Sequence, residues 1–266
     1  MSKHRDFILS PIEQILEEVP DALASVPKGL ETLGLYEYVM QSVFLKMTGF
    51  QEQKLKCVCW ELATDDYIYR YFRYKRKPLG ECSDIDEKNT VMSDLREHIE
   101  AFDPMFKTLS DTERQSIMGE AVDAVKHFYV ACDLQGWAQK EYHDFEQLAK
   151  NCSKECVGFV SGKGKMTELL GHCENCGRKG WPEAEDAICK TGTLGEVYKV
   201  MFEHRNRCAH NTRSYQHNLP ALQNMSEKGF VFENYFLHFM VLVIIDKVII
   251  CLFQKYLECS QTNFHL

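Results

Sequence analysis

Residues 236–253 read FLHFMVLVIIDKVIICLF, the longest apolar stretch in the chain and about the length of a membrane span. Two charges decide how it is read. Asp246 and Lys247 lie in its second half, and placing both in lipid costs several kcal/mol on insertion scales. The stretch is therefore expected to be a core helix of a bundle or dimer, apolar around most of its girth because neighbours cover it. No membrane partner is expected.

Around that helix the composition calls for more helices. The chain has 266 residues and is 45% apolar, enough for one large domain or two small ones with a sizeable core. Its 15 Gly and 7 Pro are few, whereas all-β folds need frequent turn punctuation, so an all-α helical bundle is expected. Thirty-one Lys plus Arg against 39 Asp plus Glu give a net charge of -8, which excludes a globally basic coat for nucleic acid. Any RNA or DNA contact must be local. The opening MSKHRDFILS has no apolar run long enough for a secretory signal, so the 12 cysteines are expected to be reduced and the protein cytoplasmic.

Apolar residues at helical spacing place helices over about 11–26 (Ser10-Pro11 as cap and first turn), 30–47 (stopped at Thr48-Gly49) and 52–77 (ended by Pro78-Leu79-Gly80). Further helices are expected at 91–102, from a Ser110-Asp-Thr-Glu113 capping box to Cys132, and over 137–152. Residues 151–192 break the pattern with seven glycines and five cysteines, and read as an insertion between helices. The expected division is a helical part at 1–150, this Cys/Gly-rich insertion at 151–192, and a C-terminal part at 193–266 that holds a helix from about Thr193 and the final one over 231–258.

Residues 203–211 read EHRNRCAHN, so Arg205, Asn206 and His210 form Arg-Asn-x-x-x-His near the end of a helical run. Positions five apart on a helix are rotated by about 140° and separated by about 7.5 Å along the axis, so one Arg and one His converge poorly on a single phosphate. Two copies about a twofold axis bring two of each into a shared cleft. That set suits metal-free RNA cleavage, in which the ribose 2'-hydroxyl attacks the adjacent phosphate. His210 titrates near neutrality and exchanges protons with the 2'-hydroxyl or the 5'-oxygen. Arg205 offers a planar fork to the phosphoryl oxygens, and Asn206 can orient the imidazole or the phosphate. The bland alternative is an Arg and His that pair with Glu203 or cap carbonyls at a helix end.

Arg205-Asn206-x-x-x-His210 resembles the R-x4–6-H motif of the HEPN family (higher eukaryotes and prokaryotes nucleotide-binding domain), with the polar residue preferred after the Arg present as Asn206. Asn211 and the apolar helix from Asn234-Tyr235-Phe236 fit the family's downstream context, and the likeness covers about 194–258. The resemblance implies an all-α HEPN-like bundle acting as a homodimeric endoribonuclease on single-stranded RNA or an RNA loop. It further implies a toxin or anti-phage defence effector that needs no cofactor for catalysis and is restrained by a regulatory or antitoxin protein. The rival reading is a non-catalytic helical module in which the motif binds a nucleotide or RNA end, or shapes a dimer interface.

Two other stretches carry expectations. Residues 67–77 (YIYRYFRYKRK) interleave aromatics with cations, as stacking on unpaired bases and neutralising phosphates require, so Arg70, Arg73, Lys75 and Arg76, with Arg207 beside the motif, are candidate RNA contacts. The alternative turns Trp60, Tyr67, Tyr71 and Tyr74 toward the core. Cys152-x3-Cys156 and Cys173-x2-Cys176 can close a tetrahedral, structural zinc site, against the alternative of free buried thiols. Ser161-Gly-Lys-Gly-Lys lacks the full phosphate-loop pattern. His127, His143, His217 and His238 lack metal-ligand spacing and are read as structural, while His204 flanks the motif.

Overall fold

Ser2 accepts a hydrogen bond from the Arg5 N–H at 3.2 Å, and this cap starts α1 (Lys3–Leu9) ahead of the first helix expected from the sequence. The computed structural model describes residues 2–27, 32–76, 82, 85–106, 109–155, 198, 201–202, 204–206, 208–209 and 234–263; of these 86% are helical and none forms a strand, so the fold is all-α.

Ser10 ends α1 instead of starting a helix, its hydroxyl donating back to the Phe7 carbonyl at 2.7 Å. The single helix expected over 11–26 is two short ones, α2 (Gln14–Glu17) and α3 (Val19–Leu23). Pro20 is the reason. It has no N–H to continue the ladder from α2, but it is tolerated in the first turn of α3.

The stop expected at Thr48-Gly49 is absent: α4 (Leu33–Asp65) runs through it for 33 residues. A mid-helix Gly costs about 1 kcal/mol, and here Phe44 and Met47 before it and Leu55 and Val58 after it, all fully buried, offset that cost. The break comes instead at Asp66, whose backbone is extended (φ -122°, ψ 106°) and whose carboxylate accepts from the Ile68 and Tyr69 N–H groups at 2.8 and 2.9 Å. Asp66 thereby caps α5 (Tyr67–Arg76).

α6 (Ile85–Phe102) precedes α7 (Asp111–Ala131), which opens with the expected capping box: the Glu113 N–H donates to the Ser110 hydroxyl at 3.3 Å, and the Ser110 N–H donates to the Glu113 carboxylate at 2.7 Å. Past α7, Asp133 takes the left-handed conformation (φ 51°), leading through a short turn to α8 (Gln139–Glu155). The apolar stretch becomes α9 (Tyr235–Asn263), which packs against α1, α4, α6, α7 and α8.

α9 is long and apolar enough to cross a membrane, yet 83% of its apolar window is buried inside the protein. Phe236, Phe239, Phe253 and Tyr256 are wholly enclosed, each contributing roughly 1.5–3 kcal/mol of burial. Both charges of the apolar stretch find partners. Asp246 takes the Lys54 ammonium of α4 and accepts from the Ile12 N–H at 3.0 Å, while Lys54 also donates to the Ser10 carbonyl at 2.6 Å. Lys247 bridges Glu13 at 2.6 Å and Glu120 of α7 at 2.8 Å. The described parts of 1–150 and of 234–263 thus share one core.

Candidate functional site

The motif segment is described at residues 198, 201–202, 204–206 and 208–209, all of them helical, and it is pinned on three sides. Buried Tyr198 donates to the Gln51 amide oxygen of α4 at 2.8 Å, and burial pushes its phenol up. The Gln51 amide nitrogen donates in turn to the Leu242 carbonyl of α9 at 3.5 Å. Lys88 of α6 places its ammonium 4.1 Å from the Phe202 ring centroid, close enough for a cation–π contact. The segment therefore sits where α4, α6 and α9 meet.

Three positions after Phe202, Arg205 spreads its guanidinium across three neighbours. Nη2 lies 3.3 Å from the Glu52 carboxylate of α4, Nη1 donates to the Asn206 side-chain oxygen at 3.0 Å, and the Phe202 ring centroid is 5.6 Å away. Glu52 is itself bridged to Lys56 one turn along α4 at 2.9 Å. About 20% of the Arg205 side chain stays open to solvent. The cation is thus held in place but reachable. Its acidic partner among the described residues is Glu52; Glu203, Arg207 and His210 lie outside them. The Asn206 side-chain oxygen helps to orient the guanidinium.

Glu52 is the residue that sequence reading misses. It stands 153 positions from Arg205. The available signal is the unbroken polar run Gln51-Glu52-Gln53-Lys54 between the apolar residues around Phe44 and Leu55, whose members must meet partners to be buried.

His204, the other side of the segment, joins a ring cluster. Phe44 of α4 lies 5.5 Å from the His204 centroid and 5.2 Å from that of His238, and the two imidazoles are 5.8 Å apart. The Tyr235 hydroxyl is within hydrogen-bond distance of His204 Nε2 at 3.2 Å, and the Cys208 thiol lies 3.5 Å from the same nitrogen. Burial, helped by the neighbouring His204, pushes His238 down to about 3, so it is neutral at ordinary pH. His238 is a buried imidazole packed among rings, and His204 ties the motif segment to α4 and α9.

Cys152 lies in the last turn of α8, while its side chain and all of Cys156, Cys173 and Cys176 fall outside the described residues, as does most of the 151–192 segment. Among the described residues no three His, Cys, Asp or Glu side chains gather around one metal position. Cys57, Cys59, Cys82 and Cys132 are free and buried, and burial pushes the Cys82 and Cys132 thiols up to about 12. Cys82 and Cys132 are therefore inert packing groups.

The basic-aromatic stretch forms α5, and its orientation corrects the core-facing alternative. Trp60, Tyr67 and Tyr71 are exposed, whereas Tyr69 and Arg73 turn inward; the Tyr74 side chain lies outside the described residues. Tyr69 donates to Asp94 of α6 at 2.7 Å, and Arg73 Nε lies 3.6 Å from the same carboxylate. Arg70 and Lys75 are exposed; the side chain of Arg76 lies outside the described residues. No family model, no curated protein and no solved structure matches the chain.

Proposed function

We propose that the chain is a metal-independent endoribonuclease acting on single-stranded RNA, with Arg205 and His210 from two copies sharing one cleft. The observation that carries this reading is the Arg205 guanidinium, fixed by Glu52, Asn206 and the Phe202 ring yet open to solvent, five positions before a histidine. A cation fixed in advance loses little freedom when a phosphate arrives, which is what transition-state stabilisation rewards.

In the reaction the ribose 2'-oxygen bonds to phosphorus as the bond from phosphorus to the 5'-oxygen breaks. One imidazole accepts the 2'-hydroxyl proton, and an imidazolium, that of the second copy, protonates the departing 5'-oxygen. The products are a 2',3'-cyclic phosphate and a 5'-hydroxyl. Arg205 balances the added charge on the phosphoryl oxygens. Such an activity fits a toxin or antiviral defence effector in the cytoplasm, held in check by a regulatory or antitoxin protein. A zinc bound by Cys152, Cys156, Cys173 and Cys176 would be structural, since four thiolates leave no open position.

One feature favours a second reading. Arg205 already has a counter-ion in Glu52, which suits a helical module that binds a nucleotide or RNA end, or dimerises, without cutting. Purified protein incubated with single-stranded RNA in EDTA separates the two. The nuclease reading expects a ladder of cyclic-phosphate-ended fragments, and His210→Ala is expected to slow cleavage by about 10²-fold or more with helix content and dimerisation intact. Equally untouched RNA with both proteins establishes the binding module.

A further inference from the structure

α5 buries one side and leaves the other unusually apolar for a surface. Tyr67 is 78% exposed, Ile68 68%, Tyr71 50% and Phe72 56%. At about 100° per residue from Tyr67, Tyr71 lies at about 40°, Lys75 at about 80°, Ile68 at about 100° and Phe72 at about 140°, so all five share one face. Tyr69 and Arg73 lie opposite, against α6. Rings of this size left in water mark a contact surface.

The charge pattern selects what it contacts. The ten residues of α5 hold four cations and no acid in a chain of net charge -8. Lys75 sits in the middle of the ring-bearing face, with its ammonium 4.4 Å from the Tyr71 ring centroid, and Tyr71 meets Phe72 edge-on at 5.6 Å. A face built to enter lipid keeps cations at its margins. A face built for a second copy of itself would set like charges together. Rings and cations side by side suit unpaired bases strung on phosphates.

We propose that the outward face of α5, with Tyr67, Tyr71 and Phe72 as stacking rings, Lys75 among them and the exposed Arg70 at its margin, about 60° round the helix from Tyr67, as phosphate partners, is a docking platform for single-stranded RNA. The choice of RNA rests on the nuclease reading; the platform does not. It is distinct from the Arg205 site: the inward side of α5 meets α4 at Cys59, through Tyr69, about 10 Å along the helix axis from the Glu52 that holds Arg205. A strand held on α5 is tethered at a distance from the motif.

The test measures binding of the full chain, in a His210→Ala background so that no cleavage intervenes, to a fluorescein-labelled oligouridine by anisotropy. Tyr67→Ala/Tyr71→Ala/Phe72→Ala is expected to weaken binding at least about tenfold. Tyr71→Leu/Phe72→Leu, which keeps the face apolar, is also expected to weaken it. Arg70→Gln/Lys75→Gln is expected to flatten the slope of log K against log salt by about 1.4, two phosphate contacts' worth on a single strand. Affinity unchanged in the ring variants, or absent in the parent protein, overturns the platform. So does tight binding to phosphatidylserine vesicles that the leucine variant retains, which would make α5 a lipid-surface helix. RNA bound on α5 but never cut by the unmutated chain leaves the platform standing and removes the nuclease reading.

Discussion

Lys54 and Asp246 are both wholly shielded from water, and burial pushes the ammonium down and the carboxyl up, each shift opposed by the other's charge. The Ser10 carbonyl and the Ile12 N–H complete the set, tying the loop after α1 to the middle of α9. A buried pair of this kind is weak evidence of stability but costly to halve. Lys54→Met is expected to lower the unfolding free energy by about 3–5 kcal/mol, because it strands the Asp246 charge, whereas Lys54→Met/Asp246→Leu recovers most of the loss in denaturant titration. Asp246 is visible in the sequence as a charge that forbids lipid. Its partner is not, since nothing local links positions 192 apart. Glu52 and Arg205 repeat that lesson at the motif: the guanidinium is legible from its neighbours Asn206 and His210, its carboxylate only from the fold.

At the scale of elements, what can be read is what is settled within one turn. The Ser110–Glu113 capping box starts α7 where its spacing places it, because both bonds join residues three apart. The α4 boundary is misread for the opposite reason: Gly49 reports a local preference, and the buried residues on either side outweigh it. The decisive signal is Asp66, a side chain that can cap, the second of two adjacent aspartates before an aromatic run. Asp66→Ala is expected to destabilise by about 1 kcal/mol and to fray α5, read as a lower denaturant midpoint and faster amide exchange at Ile68 and Tyr69. The rings of α5 show why periodicity alone cannot assign a face. Tyr67, Tyr69 and Tyr71 alternate around the helix, and only the position of Asp94 decides which of them turns inward.

Across the whole molecule, acid should act through His238. Its conjugate acid has a pKa of about 3 in the fold against 6.5 in the open chain, so between those values the unfolded state binds more protons and stability falls with falling pH. The slope approaches about 1.4 kcal/mol per pH unit within that window. Glu113 adds to it below 4.5: although burial favours its protonated form, Lys255 and the Ser110 N–H and hydroxyl hold the carboxyl down to about 2, an advantage lost as acid titrates it. Thermal unfolding from pH 8 to pH 4.5 is expected to show a plateau and then a decline from about 6.5, and His238→Phe is expected to flatten that decline. The all-α class and the central helix are legible because apolar spacing repeats over many turns. The way the motif is braced by α4, α6 and α9 is not, because it joins segments with no shared local pattern.

The position of α9 also sets an order of events during synthesis. The helix against which α1, α4, α6, α7 and α8 all pack is the last of them to leave the ribosome. Until it emerges, the nascent chain carries greasy surfaces with nothing to close on them, and Lys54 waits for an acid not yet translated. A premature stop codon near position 234 therefore leaves a chaperone client prone to aggregate, not a slightly weakened protein.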